Sequence, residues 1–488
     1  MVTHGDGAVA PLPRLVLQPD SGPGVGTGHL ARCFAIGQRW SDLGGEVVLA
    51  AGNVPDLWRD RCRAEGFDVV AWPPGPMPTG RRGDWWVLDG YRWDRDDLAR
   101  AGALARFVLV VADHGKPDLG GADLVVDQNV DDPSVPRRYD GPEVLLGPRY
   151  ALLRRELREP HVRSTGDGSP EGGPATILVS LGGDPPATAT ALAEQVVADP
   201  RLADCRTSVL RGQVDVGPAL ARATVALSAA GATTWELCAF GVPTVYLALA
   251  DNQDPVGRGV DAAGAGVYSG RLGEVDAREL AGRLAGLLAD PDLRRRLATA
   301  AKALVDGDGV ARVVARMRSH LLTVREAGPS DRDLLWRWAS DSEVRANSFS
   351  PDPIPFRDHA AWFDRVLADP GRRQYVVGHE GPEGEVPIGQ IRFDVVPGGD
   401  GRSGPVASVD VSVAPGHRGA GWGGPLICAG VRRFAEDLPG AMTLEAQVKL
   451  GNTASGRAFV EADFDGPSPG GPTFVRYLRT RSEERADG

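Results

Sequence analysis

His29 stands in Gly24-Val-Gly-Thr-Gly-His-Leu-Ala-Arg32, a run of glycines that ends where a helical pattern begins. Glycines let the backbone turn tightly and come close to a ligand, and the first turn of a helix offers N–H groups to an anion. An imidazole there, with an unperturbed pKa near ~6.5, suits general-base work at neutral pH. A plain helix cap or surface histidine is the competing reading. A second segment, Ser228-Ala-Ala-Gly-Ala-Thr-Thr-Trp-Glu236, also runs from an apolar stretch into a helical one. The backbone amides after Gly231, helped by the Thr233 and Thr234 hydroxyls, make an anion cradle, and Glu236 is placed to accept from sugar hydroxyls. A capped helix with a first-turn carboxylate would look the same. Gly182 and Gly183, after another apolar run, give the backbone clearance toward the same anion. A third segment, His417-Arg-Gly-Ala-Gly-Trp-Gly-Gly424, places Arg418, Gly421 and Gly423 where successive amides can hold a pyrophosphate. No His, Cys, Asp and Glu set has the spacing of metal ligands, so no metal is expected.

The elements that must carry these loops follow from periodicity. In the first half, apolar runs at 14–18, 47–51, 69–71, 85–89, 107–111 and 123–127 alternate with helical patterns such as 29–42 and 55–65, as in a buried parallel sheet. Residues 159–174, rich in Gly, Ser, Pro and charge, read as a linker. A second alternating unit follows, with strands at 176–180, 207–210, 225–228 and 244–248 and helical patterns over 276–304 and 310–320. Two successive doubly wound units with a cleft between them describe a GT-B-like pair of Rossmann-type domains. After Leu322 the pattern becomes α+β: antiparallel strands at 374–377, 388–393 and 408–413, then a helix at 425–436. The expected domains are 1–158, 175–320 and 323–482.

Composition narrows the function classes. At 488 residues the chain is long enough for about three domains. A net charge of −11 without a basic stripe argues against nucleic-acid binding. No apolar run approaches the ~18–20 residues of a membrane span, and the first residues lack a signal-peptide pattern. The five cysteines are scattered and odd in number, which favours free thiols in a reducing, cytoplasmic setting. The sequence is silent on oligomeric state.

A resemblance sharpens the first two sites. Gly26-Thr-Gly-His-Leu-Ala-Arg-Cys33, Val87-Leu-Asp-Gly-Tyr91, Ala122-Asp-Leu-Val-Val-Asp-Gln-Asn129, Leu145-Leu-Gly-Pro-Arg-Tyr-Ala-Leu-Leu-Arg154, Ile177-Leu-Val-Ser-Leu-Gly-Gly-Asp184, the Ser228–Glu236 segment and Leu249-Ala-Asp-Asn-Gln253 occur in order. Over residues 14 to about 318 this resembles the UDP-2,4-diacetamido-2,4,6-trideoxy-β-L-altropyranose hydrolases of pseudaminic acid biosynthesis. The resemblance implies metal-free inverting hydrolysis at the anomeric carbon of a UDP-linked amino sugar, with His29 as the base that activates water. It further implies substrate contacts from Gly26, Gly28, Arg32, Tyr91, Gly182, Gly183, Ser228, Gly231, Thr233, Thr234, Glu236, Asn252 and Gln253. Tyr91 and Asn252 would meet the sugar from opposite sides. Asp89 and Asp113 end strands, where carboxylates face ligands or cap loops; Ala112-Asp113-His114 departs from the paired aspartates of relatives.

The Arg418-x-x-Gly421-x-Gly423 pattern, the Leu444–Phe464 segment and the opening at Val324 resemble GNAT N-acetyltransferases over residues 323 to about 480. This implies acetyl-CoA as cosubstrate, held by Val411, Val413, Arg418, Gly419, Gly421, Gly423 and Asn452. Asp410 or Glu445 would assist the amine, or both are solvated strand residues. Phe459 stands where many GNATs carry a tyrosine that protonates the thiolate. Together the resemblances imply acetylation of the 4-amino group of a UDP-sugar and hydrolysis of the product. The alternatives are a GT-B glycosyltransferase fused to an acetyltransferase, and a hydrolase carrying a non-catalytic acyl-CoA sensor.

Overall fold

The computed structural model describes residues 11–22, 25–71, 83–113, 119–130, 139, 143–158, 173–211, 215–381, 384–396 and 404–481. Gly24, His114, residues 159–172 of the expected linker and Ser482 lie outside the described residues. The chain divides into two compact units, one over Leu12–Val310 and one that takes in Ala311–Gly488. The first takes in residues 12–158 and 175–310 of the two expected Rossmann halves, while residues 311–320, expected in the second half, fall in the other unit.

In the N-terminal half the elements run β1 (Leu15–Pro19), α1 (Gly28–Asp42), β2 (Val47–Ala51), α2 (Asp56–Ala64), β3 (Asp68–Ala71), β4 (Trp85–Asp89), α3 (Arg95–Leu104), β5 (Phe107–Val111), β6 (Leu124–Asp127), β7 (Glu143–Leu146) and α4 (Arg155–Arg158). They form one parallel sheet in the order β3-β2-β1-β4-β5-β6-β7. The runs Trp85-Trp-Val-Leu-Asp89 and Phe107-Val-Leu-Val-Val111 are buried throughout, because helices cover both faces. The order reverses between β1 and β4, where Pro19 pairs with Asp89. A crevice must open there, since the loops leaving the two strands turn to opposite faces.

The C-terminal half continues with β8 (Thr176–Ser180), α5 (Ala187–Val197), β9 (Arg206–Leu210), α6 (Gly217–Arg222), β10 (Val225–Ala229), α7 (Thr233–Phe240), β11 (Thr244–Ala248), α8 (Asp254–Ala262), β12 (Val267–Arg271), α9 (Ala277–Ala289) and α10 (Pro291–Leu304). Its parallel order, β12-β11-β10-β8-β9, reverses between β8 and β10. The continuous helical pattern expected over 276–304 is two helices. Asp290 ends α9, accepts from the Leu293 N–H to cap α10, and is followed by Pro291, which cannot continue α9.

The second unit takes in most of α11 (Gly309–Ser319), then β13 (Leu322–Glu326), α12 (Arg332–Ala339), α13 (Ser342–Asn347), α14 (Phe356–Ala368), β14 (Arg372–Gly381), β15 (Gly384–Val396), β16 (Val406–Val413), α15 (Gly423–Asp437), β17 (Met442–Lys449), α16 (Thr453–Glu461), β18 (Asp465–Pro469) and β19 (Phe474–Arg481). The strands form a mixed sheet in the order β13-β14-β15-β16-β17-β19-β18. One face packs Tyr375, Ile391, Phe393, Val409 and Leu444 into a core with Leu426 and Phe434 of α15. The pairing is antiparallel except at β16–β17, which is parallel and joins only Val406–Ser408 to Thr443–Glu445. Beyond Ser408 the two strands part, while β15 follows β16 to Val413.

Candidate functional sites

The two strand-order reversals of the Leu12–Val310 unit bring the loops after β1, β4, β8 and β10 around one cleft of about 390 Å³, within the size range of small-molecule sites. The loops approach closely. A Cβ on Gly28 would lie 3.2 Å from the Cβ of Ala232, so glycine at the start of α1 is what admits the facing loop.

His29 occupies the first turn of α1, and its Nδ1 lies 2.7 Å from Oδ1 of the fully buried Asp89 at the end of β4. Arg32, one turn further along α1, donates to both oxygens of Asp89 at 2.7 and 2.9 Å. The same guanidinium donates to both oxygens of Asp113, after β5, at 2.8 and 3.1 Å. Asp113 also accepts from Asn129 Nδ2 at 3.0 Å and from the Tyr91 hydroxyl at 3.1 Å. Burial alone would raise the Asp113 pKa; the Arg32 charge and its hydrogen bonds outweigh that and hold the carboxyl well below the usual carboxylate range. Tyr91 is half exposed and donates its hydroxyl hydrogen to Asp113, as a neutral phenol does.

His29 Nδ1 has two close neighbours, the Asp89 oxygen at 2.7 Å and Arg32 Nη2 at 2.9 Å. With the Nδ1 proton on the shorter contact to the carboxylate, Nε2 is the nitrogen free to take a proton. The imidazole lines the cleft, and the Tyr91 ring stands edge-on to it at 5.2 Å between centroids. Asn252, from the opposite half, donates to the Tyr91 hydroxyl at 2.7 Å and so spans the cleft beside the imidazole. Tyr91 is itself anchored: its backbone N–H donates to Asp20 Oδ2 at 2.7 Å.

Gly26, Gly28, His29, Arg32, Tyr91, Gly182, Gly183, Gly231, Thr233, Glu236, Asn252 and Gln253 all line the cleft. Two expected residues lie elsewhere. Ser228 is fully buried inside β10, its hydroxyl within 2.9 Å of the Ala229 carbonyl and 3.1 Å of the Ser180 carbonyl. Thr234 is fully buried in the first turn of α7. Arg32 lines the cleft, but its guanidinium is bound to two carboxylates, which makes it a positioning residue for Asp89. Glu236 faces Arg154, whose Nη2 donates to Oε1 at 3.1 Å. Burial raises the Glu236 pKa against the opposing pull of Arg154. Asp20, Asn129 and Arg154 were not singled out from sequence; each follows a strand of the N-terminal half, a position that itself marks crevice residues.

In the second unit, Gly419 and Gly421 take positive φ of +76° and +68°, and Gly423 begins α15. A Cβ on Gly423 would come within 2.8 Å of the Ala458 Cβ on α16. Arg418 pairs with Asp341 at 2.8 Å and Glu343 at 2.9 Å, and its Nε donates to the Val413 carbonyl at 3.2 Å. Val411 and Val413 lie on the part of β16 that has left β17, so the main chain there is open toward the seam. Asn452 caps α16 by accepting from the Ser455 N–H at 3.1 Å. Ser408 pairs with Glu445, and Asp410 stands two positions along β16, so both candidate carboxylates share the sheet face opposite the α15 core. Asp410 accepts from Gln390 at 3.0 Å and its side chain is 55% exposed. Glu445 accepts from Gln447 at 3.3 Å. Phe459 is buried against Phe464 and Tyr477 and brings no proton donor.

Among the described residues no cluster of three or more His, Cys, Asp or Glu is placed to hold a metal, and no helix is long and apolar enough to cross a membrane.

Residues 322–465 match the family model of the acetyltransferase (GNAT) domain. Among curated proteins, the chain is 36% identical over 153 residues to the UDP-N-acetylglucosamine–N-acetylmuramyl-(pentapeptide) pyrophosphoryl-undecaprenol N-acetylglucosamine transferase of Sorangium cellulosum strain So ce56. That match takes in 30% of this chain and only 38% of the relative's length. Among solved structures, MurG of Acinetobacter baumannii is similar with a TM-score of 0.46 at 14% identity, over 62% of this chain and 98% of that one. The spermidine N-acetyltransferase of Vibrio cholerae, solved with CoA and spermine, has a TM-score of 0.27 at 17% identity, over 33% of this chain and 96% of that one. The chain thus joins a GT-B-like pair of Rossmann-type halves to a C-terminal GNAT acetyltransferase domain.

Proposed function

We propose that this chain is a two-site enzyme of amino-sugar nucleotide chemistry. The cleft of the Leu12–Val310 unit hydrolyses UDP-2,4-diacetamido-2,4,6-trideoxy-β-L-altropyranose with inversion, and the GNAT domain acetylates the 4-amino group of the preceding UDP-sugar from acetyl-CoA. The observation that carries the hydrolase reading is the His29–Asp89 pair, locked by Arg32 at the edge of a nucleotide-sized cleft. Nε2 of His29 takes a proton from water as its oxygen attacks the anomeric carbon, and the bond from that carbon to the diphosphate oxygen breaks. Asp89 stabilises the imidazolium that forms. UDP is a good leaving group, so the site needs an activated nucleophile more than an acid. The Gly182–Gly183 turn and the first turn of α7 face the diphosphate, Glu236 the ribose, and Tyr91 with Asn252 the sugar. The Tyr91–Asn252 bridge beside the imidazole favours a nucleophile as small as water.

At the second site the acyl chain enters where β16 parts from β17, and the amine approaches the face that carries Asp410 and Glu445. Both cosubstrates and an odd number of scattered cysteines fit a cytoplasmic setting.

A second reading, glycosyl transfer, is favoured by the 36% identity over 153 residues to a glycosyltransferase. There a hydroxyl of a second molecule takes the place of water. Acceptor dependence separates the two. The full chain with UDP-sugar alone should release UDP at a rate unchanged by added alcohols or glycans. UDP release that requires an acceptor would replace hydrolysis with transfer. For the GNAT domain, a mass gain of one acetyl group on the UDP-linked 4-amino sugar is expected with acetyl-CoA. Its absence alongside acetyl-CoA binding would leave a sensor domain.

A further inference from the structure

Arg318 lies near the end of α11, before the residues that match the acetyltransferase family. It is 3% exposed, and its guanidinium reaches two successive carbonyls of the glycine loop: Nη1 donates to Gly421 O at 2.6 Å and Nη2 to Ala420 O at 3.1 Å. The guanidinium carbon also sits 4.1 Å from the centroid of the buried Trp422 ring. The His379 ring stacks on the same indole, 6.4 Å away and tilted by 14°.

In a trans peptide unit the carbonyl and the N–H point in opposite directions. With the Ala420 and Gly421 carbonyls turned onto Arg318, the N–H groups of Gly421 and Trp422 face the other way. Among the described residues neither of those N–H groups donates to a backbone carbonyl. The positive φ of Gly419 and Gly421 permits the turn, and two consecutive amides aimed outward form an anion-binding concavity. A buried guanidinium is costly unless its donors are used, and here the loop carbonyls use them.

We infer that Arg318 is the positioning residue of the acyl-CoA loop, so that the acetyltransferase site includes α11 as well as the residues after Leu322. This rests on the reading of the loop as the pyrophosphate site of coenzyme A. Arg318 touches no ligand; it sets the direction of the amides that do.

The test uses the full-length chain, with coenzyme A and pantetheine, which lacks the pyrophosphate, as calorimetric probes. Arg318→Gln should weaken coenzyme A binding by about 10-fold or more, since misdirected ligand groups lose that much. Pantetheine, held along the β16 seam, should bind as to the unaltered chain. Arg318→Lys should recover part of the loss, because one ammonium keeps the charge but cannot fork to two carbonyls while lying flat on an indole. Unchanged coenzyme A affinity in Arg318→Gln would overturn the inference. So would an equal loss for both probes, which would mark Arg318 as a general stabiliser. An unaltered chain that binds the two probes alike sinks the pyrophosphate reading itself, and the inference with it.

Discussion

The cleft of the first unit and the seam of the second are built from different parts of the chain. Around His29 the ordered features are side chains: an imidazole, two carboxylates and a guanidinium in one largely buried hydrogen-bonded set. In the seam, Asp410 is half exposed, with the Gln390 amide at 3.0 Å and Arg392 at 4.0 Å, while the ordered features are main-chain ones: parted strands, positive-φ glycines and carbonyls fixed by Arg318. A nucleophile that must be activated needs a tuned side chain, whereas attack on a thioester by an amine depends mostly on placement. Substitutions should therefore act sharply in the cleft and mildly on the side chains of the seam.

The largest contrast is expected at His29. His29→Ala should lower UDP release by about 10²–10⁴-fold, as loss of a general base does, and leave acetyl transfer by the same preparation unchanged. Asp89→Asn should act in the same range by disfavouring the tautomer with a free Nε2. Near-normal UDP release by either variant breaks the comparison.

Arg32→Leu tests whether the cleft set is a unit. Removing the shared cation leaves the fully buried Asp89 and the partly buried Asp113 without their countercharge and should cost about 3–5 kcal/mol in denaturant unfolding at neutral pH. The pH dependence follows from Asp113, whose folded pKa is depressed. Its stabilising contribution is complete above the ordinary carboxylate range and fades as pH falls toward the depressed value. The variant lacks that contribution, so its deficit against the unaltered chain should be greatest at neutral pH and shrink as the medium is acidified below about pH 4. A deficit that grows on acidification contradicts the assigned charges.

In the seam, Gly421→Ala forces a Cβ onto a residue at φ +68°. The left-handed conformation costs about 1–2 kcal/mol for other residues, so KM for acetyl-CoA should rise by about 10-fold with little change in kcat. The smallest effects belong to Asp410→Asn and Glu445→Gln, each expected to lower acetyl transfer by less than about 10-fold. A much larger loss at one of them would identify a true base and erase the contrast between the sites.

Much of this was legible in the sequence, because a buried parallel strand advertises itself as a continuous apolar run: Val47–Ala51, Trp85–Asp89 and Phe107–Val111 are strands with the expected limits. The glycine loops were legible for the same reason, since few residues other than glycine tolerate the turns at Gly182 or Gly421. Less visible were residues whose role depends on the strand-order reversal. Asp89 is distant from His29 in sequence and meets it only because β1 and β4 are neighbours, and Asp113 joins the set through Arg32 because β5 pairs with β4. Arg32, read as a substrate contact, shows its positioning role only once both carboxylates are in place. Ser228 and Thr234 sit among cleft residues in sequence, yet the alternation of β10 and the turn of α7 send their hydroxyls inward. Arg318 carried no signal at all, because nothing in α11 marks contact with a loop a hundred residues later.

The most direct test of the account follows the anomeric protons of UDP-2,4-diacetamido-2,4,6-trideoxy-β-L-altropyranose by NMR, with the full-length chain and no acceptor, beside the His29→Ala variant. The account predicts UDP release, first appearance of the sugar with inverted anomeric configuration, and near-silence from the variant. Intact substrate after prolonged incubation, or UDP release that survives the loss of His29, would contradict it.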